Sequence, residues 1–296
     1  MSISETLGNK KEIVLSSGRI RYRETGQGKV LLFVHGILAN GDVWRNVVNE
    51  LSKNFRCITP DWPLGAHKLP MRKDFDFSLR GVASLIGELI EALNLENVTL
   101  IGNDTGGSIC QYVAVNYSES IERLVLTPCD SFKNFPPKII RHLKYTGRTP
   151  FGLYILGNLL RFPIIYKLPI AFGRLTERSI PPEIMRSYTS PLRKYPSVRR
   201  EFAKFVRNID PKQTVMIAEK LKDFKKPTLI IWANERRPFF PLSHGEKLHK
   251  IIKNSVLVVI EDSGPFVTED KPKEVVGAIE DFLTASKHDC LSIETV

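Results

Sequence analysis

No stretch of these 296 residues stays apolar for long enough to span a bilayer. The most apolar, Pro150 to Phe172, is broken by Arg161, Pro163, Lys167 and Pro169. The opening run from Met1 to Glu12 is polar and charged, unlike a secretory leader. Cysteine is scarce: Cys57, Cys110, Cys129 and Cys290 lie far apart, without the close pairs of a metal site or a disulfide framework. No dinucleotide fingerprint and no metal-ligand spacing is present, so neither a cofactor nor a metal is expected. No internal repeat is present. These absences predict a cytoplasmic protein with reduced thiols. They set no oligomeric state.

Acidic residues are short in one region only. Residues 131–215 hold 17 basic side chains against four acids (Glu177, Glu183, Glu201 and Asp210), which exceeds the whole chain's net charge of +11. The basicity therefore belongs to one segment. Such a patch suits an anionic or amphiphilic small-molecule substrate, an acidic partner or weak contact with an anionic membrane surface. It equally suits a solvated helical face. No nucleic-acid module accompanies it, so nucleic acid is not an expected partner.

What is present is an ordinary globular composition, 42% hydrophobic and 25% charged. Strands are predicted at Glu12–Ser16, Arg19–Glu24, Val30–Val34, Arg56–Thr59 and Val98–Ile101, then at Arg123–Thr127, Thr228–Trp232 and Val256–Ile260. Helical spacing marks Val43–Ser52, Leu79–Leu93, Ser243–Ile252 and Lys273–Thr284. Nearly continuous apolar strands alternating with helices predict an α/β fold, a mostly parallel doubly wound sheet covered on both faces. The alternation stops between Ser131 and Lys222, where prolines and short helical patterns such as Ser197–Val206 and Gln213–Leu221 replace strands. The expected organisation is a core of residues 1–130 and 223–296, interrupted by a helical cap of residues 131–222. The tail after Ser286 has no periodicity and is expected to be loosely ordered.

The chemistry centres on Gly102-Asn103-Asp104-Thr105-Gly106-Gly107, which lies between an apolar strand and a helical pattern. The glycines permit a sharp strand-to-helix bend with Asp104 at its tip. About 70 residues upstream, the strand ending at Val34 runs into His35-Gly36-Ile37. In a sheet of this kind that loop lies beside the bend. The backbone N–H groups of Ile37 and Thr105 would then form an oxyanion hole, with His35 and Gly36 supporting the loop. Together these features resemble the α/β-hydrolase superfamily over nearly the whole chain. The aspartate at the tip resembles the haloalkane dehalogenase and epoxide hydrolase branch. The resemblance implies an α/β-hydrolase fold with an inserted helical cap, and Asp104 as a nucleophile that forms an ester at a saturated carbon.

The resemblance fails at the base. The family's histidine follows the last strand, and Pro265 in Asp262-Ser263-Gly264-Pro265-Phe266 stands in its place. Proline exchanges no proton. The usual acid position after Trp232 holds Arg236, with Glu235 one residue early. Asp130, just after the strand preceding the cap, is a candidate acid, or else a turn aspartate. Among His35, His67, His142, His244 and His249, only His67 is singled out as a weak candidate base; His244 and His249 fall on a predicted surface helix. Trp62, Phe132, Phe151, Tyr154, Leu159, Pro265 and Phe266 are the expected substrate contacts. Three functions follow: a dehalogenase- or epoxide-hydrolase-like hydrolase with an incomplete triad; a non-hydrolytic cyclase, lyase or isomerase using Asp104 or Asp130; or an inactive hydrolase scaffold that binds a ligand or partner.

Overall fold

The computed structural model describes residues 3–236 and 238–285, so Cys290 and the tail expectation lie outside the described residues. The first two strands, β1 (Asn9–Leu15) and β2 (Gly18–Thr25), form an antiparallel hairpin. β1 begins three residues earlier than its apolar pattern predicts. Its first half, Asn9-Lys10-Lys11-Glu12, is exposed and polar, as suits an edge strand that must not recruit another chain. The remaining strands are β3 (Val30–Val34), β4 (Arg56–Pro60), β5 (Thr99–Asp104), β6 (Arg123–Cys129), β7 (Thr228–Asn234) and β8 (Ser255–Glu261). Their order across one sheet is β1-β2-β4-β3-β5-β6-β7-β8, and every pairing from β4 to β8 is parallel.

Helices α1 (Arg45–Leu51), α2 (Leu79–Ala92) and α3 (Thr105–Asn116) follow the first parallel strands. Between β6 and β7 run only helices: α4 (Leu143–Thr146), α5 (Pro150–Leu159), α6 (Pro163–Tyr166), α7 (Pro182–Lys194), α8 (Pro196–Arg207) and α9 (Pro211–Lys220). The chain then adds α10 (Leu242–Ile251), the short α11 (Val267–Asp270) and α12 (Pro272–Thr284). β3, β5 and β6 are buried along their whole length, which is why their sequences lack polar alternation. Cys57, Cys110 and Cys129 are free thiols in this core.

Polar ties fasten the helical segment to the sheet. The Asp270 carboxylate accepts from the N–H groups of Gly264 (2.8 Å), Glu177 (2.9 Å) and Arg178 (2.8 Å), joining the loop after β8 to the residues before α7. Ser187 of α7 donates to Asp42 at 2.7 Å and accepts from the Asn40 amide at 3.2 Å. His67 meets Glu201 of α8 at 2.8 Å. Among the described residues, no helix is long and apolar enough to cross a membrane.

Candidate active site

Asp104 ends β5 and opens α3 with φ +55° and ψ −133°, a backbone conformation that side chains other than glycine's rarely adopt. Its surroundings hold it there. A Cβ on Gly106 would sit 2.2 Å from the Val34 carbonyl oxygen, and one on Gly36 would sit 2.5 Å from the Asp104 side chain. Glycine at these two positions lets the chain after β3 and the start of α3 close on the aspartate from both sides.

The carboxylate is held at one oxygen. Asp104 Oδ1 accepts from the Thr105 backbone N–H and from Thr105 Oγ1 at 3.0 Å. Oδ2 has no protein donor among the described residues. Burial pushes the Asp104 carboxyl up to about 6, against the pull of the two Thr105 donors. Asp130 is brought alongside by an irregularity in the sheet: Gly102 pairs with Leu126, but Asp104 pairs with Cys129, so β6 carries one extra residue there.

Thr105 Oγ1 also lies 2.8 Å from Asp130 Oδ2. A threonine hydroxyl has one hydrogen, so it cannot donate to both carboxylates. One carboxyl must carry a proton and donate to Thr105. Asp130 is that group, because burial and the Asp104 charge together raise it well above the usual carboxylate range. That order runs from Asp130–OH to Thr105, and from Thr105–OH to the Asp104 carboxylate. Asp130 is buried at this junction and borders no open space.

An apolar cavity lies over Asp104. Ile37 and Leu38 line it from the loop after β3; Leu156, Leu160 and Phe172 line it from the helical segment, and Phe239 from the loop after β7. His142, at the start of α4, lines it too. Ile37, whose backbone N–H is the expected oxyanion-hole donor, is thus beside Asp104 at the cavity wall.

The predicted substrate contacts do not line this cavity. Phe151, Tyr154 and Leu159 point outward, because α5 turns Leu156 and Leu160 toward the cavity and Leu153 and Gly157 into the protein. Trp62 is fully buried with its indole N–H bonded to the Phe33 carbonyl at 3.0 Å. Phe132 is enclosed between the His244 ring (5.3 Å between centroids) and Lys247 (4.3 Å). Phe266 is buried, its N–H bonded to the Leu175 carbonyl at 2.8 Å.

Apart from His142, which lines the cavity, the histidines weighed as the base are engaged with other partners. His35 accepts from the Trp62 N–H at 2.9 Å, so its Nδ1 carries the hydrogen and donates to the Gly36 carbonyl at 2.8 Å. Burial lowers it to about 4, and it remains a neutral brace for the loop. His67, the candidate base, accepts from the Gly65 N–H at 3.4 Å and meets Glu201 with its other nitrogen. His244 is half-buried against Ser131 (3.2 Å) rather than solvated; His249 is exposed and meets Ser255 at 2.9 Å. At the family's histidine position, the Pro265 carbonyl accepts from the Asn103 amide at 3.1 Å.

At the usual acid position, Arg236 is exposed and pairs with Asp262 at 3.1 Å. Glu235 accepts from the Phe239 (2.6 Å) and Phe240 (3.0 Å) N–H groups and shapes the loop that carries Phe239. Burial raises it to about 7. Sequence reasoning did not assign His142 or Phe239 to the cavity. The short helices around them carry too few turns for a pattern to say which face turns inward. Among the described residues no group of three or more His, Cys, Asp or Glu is arranged to hold a metal ion.

Residues 29–148 match a family model described as alpha/beta hydrolase fold, a span that includes Gly36, Asp104 and Asp130. The chain has the α/β-hydrolase fold. Its relatives point to the aspartate branch that it resembles. A cis-3-alkyl-4-alkyloxetan-2-one decarboxylase of Shewanella oneidensis is 27% identical over 288 residues, covering 92% of this chain and 87% of that protein. Haloalkane dehalogenase 2 of Mycobacterium tuberculosis is 27% identical over 273 residues, covering 89% and 91%. The crystal structure of an alpha/beta hydrolase fold protein from Burkholderia ambifaria superposes with a TM-score of 0.77 at 22% identity, covering 93% of this hydrolase-fold chain and 97% of that one.

Proposed function

We propose that Asp104 is a nucleophile at an elbow turn, beneath a helical cap of residues 131–222, and that it acts on a lipophilic substrate without a water-activating base. The reaction that fits is a lyase reaction, the decarboxylation of a dialkyl-substituted oxetan-2-one. The observation that carries this reading is an Asp104 Oδ2 without a protein donor among the described residues, under an apolar cavity, with a proline carbonyl at the family's histidine position.

Attack by Oδ2 on the saturated ring carbon C4 forms an Asp104 ester and breaks the C4–O ring bond, releasing the ring's carboxylate. Loss of CO2 then breaks the bond to C3. That electron pair becomes the C3–C4 double bond, and the C4–ester bond breaks to return its pair to Asp104. No water enters and no proton moves, so a missing histidine is no obstacle. Thr105 holds Oδ1 throughout and leaves Oδ2 to react. The apolar cap residues suit alkyl substituents, and the Shewanella relative is by its name a decarboxylase of this lactone class.

A second reading is favoured by His142 in the same cavity. There the substrate is a haloalkane or an epoxide, the ester forms in the same way, and a water deprotonated by His142 attacks its carbonyl in an Ile37–Thr105 oxyanion hole. Turnover in oxygen-18 water separates the two. Lactone turnover to an alkene should leave the Asp104 peptide unlabelled, and Asp104→Asn should abolish it. Oxygen-18 in Asp104, with an alcohol, diol or hydroxy acid as product, would establish hydrolysis instead. If neither substrate class gives product or a covalent adduct, both readings fail and a binding scaffold remains.

A further inference from the structure

Among the described residues, much of the outer face of α5 and of the turns after it is left uncovered. Among the described residues, nine of the twelve exposed large apolar side chains fall within residues 145–170. Tyr145 is 80% exposed, Phe151 72% and Ile164 77%. On α5 the exposed Phe151, Tyr154, Ile155 and Leu159 follow helical spacing along one stripe, while Leu156 and Leu160 on another face line the Asp104 cavity. A helix that is apolar on both sides is out of place at a surface bathed by water.

The charge along this stretch of the chain is of one sign. Residues 131–176 contain eight lysines and arginines and no aspartate or glutamate. Arg141, Arg148, Arg161 and Lys167 are exposed among the apolar side chains, and the Arg161 guanidinium lies 4.4 Å from the centre of the Phe162 ring. The cavity reaches the same face, since Ile170 and His142 both line it and both are exposed.

We propose that this face docks on a bilayer bearing anionic lipids. The stripe of α5 and the α6 turn would sit at the headgroup–acyl boundary, with the mouth of the Asp104 cavity against it. Large apolar side chains ringed by cations are the two elements that interfacial binding combines. A second copy of this chain fits the face poorly, because two such surfaces would bring Arg141, Arg148, Arg161 and Lys167 of one copy against the same four of the other. Docking would let an alkyl-chain substrate pass from the bilayer into the cavity without crossing water. The docking inference rests on the surface and the cavity mouth, not on the chemistry proposed for Asp104, so its test reads binding alone.

The test is flotation of the intact chain with vesicles of phosphatidylcholine, with and without phosphatidylglycerol. The chain should float with the anionic vesicles, less with phosphatidylcholine alone, and less again at high salt. The double variant F151S/I164S should lose roughly tenfold in vesicle affinity, and R148Q/R161Q/K167Q should lose the preference for phosphatidylglycerol. All five altered side chains are exposed in whole or large part, and unchanged thermal melting shows that the fold is kept. Failure of the parent to float with anionic vesicles overturns the proposal, as does parental flotation by F151S/I164S. A dimer in sedimentation velocity that F151S/I164S dissociates, without vesicle binding by the parent, would assign the face to a second copy instead.

Discussion

At neutral pH Asp104 is a carboxylate with 5% of its surface exposed, and that burial should be visible in the stability of the protein. Its folded value near 6 lies above the ordinary 3.8, so between these two the folded state binds more protons than the unfolded one. Stability from this group therefore falls as pH rises from about 4 to 6 and is level above that. The difference is worth about 3 kcal/mol. Asp104→Asn, which keeps an oxygen to accept from Thr105, should stabilise the fold at pH 8 by about 1–3 kcal/mol while removing turnover. Denaturant unfolding at pH 4.5 and pH 8 checks this, and the gain should shrink at the lower pH. Activity should follow the same ionisation, with kcat/KM rising through about pH 6 and flat above it. Asp130→Asn then tests the proton on Asp130. A neutral amide that donates to Thr105 replaces a neutral acid that does so, and the activity midpoint should stay near 6. A midpoint that drops by a unit or more would mean that the parent carries a charge on Asp130.

The elements that present Asp104 depend on close backbone approach. Gly36→Ala would place a methyl group on the Asp104 side chain, and rotation of that side chain is the available relief. The expected result is a loss of turnover of about 100-fold or more with a small change in melting temperature. Gly106→Ala meets backbone at Val34 and His35 instead, which cannot rotate away. It should destabilise the fold by about 2–4 kcal/mol, measurable by thermal unfolding. The pattern Gly36 and Gly102–Gly107 announced this turn in the sequence, because only a forced bend gathers glycines between an apolar strand and a helix. The partnership of Asp130 was not legible in the same way. It depends on one extra residue of β6 opposite the end of β5, and such an irregularity leaves no mark on an apolar run.

At the scale of the whole molecule, a few buried polar contacts decide how the helical segment sits over Asp104. Asp270 receives N–H groups from both sides of that junction, so Asp270→Ala would leave buried donors unsatisfied. A loss of about 3 kcal/mol is expected. Hydrogen exchange should quicken first at Glu177 and Arg178, and faster exchange spread evenly over the sheet would count against this role. The Arg45–Glu269 pair, also buried and with a 2.5 Å contact, fixes α11 against α1 on the same side of the molecule.

The succession of strands along the chain, the turn at Asp104 and the vacancy of the family's histidine position were determined by the sequence alone. Each is written in local terms: strand burial in continuous apolar runs, the turn in glycines, the missing base in Pro265. The tertiary structure decided which helical faces turn inward, why Phe151 and Tyr154 stand outside while His142 and Phe239 meet the cavity, and which carboxyl holds a proton. Those outcomes depend on packing between segments far apart in the chain and on the loss of water around Asp104 and Asp130, and neither is encoded in the spacing of neighbouring residues.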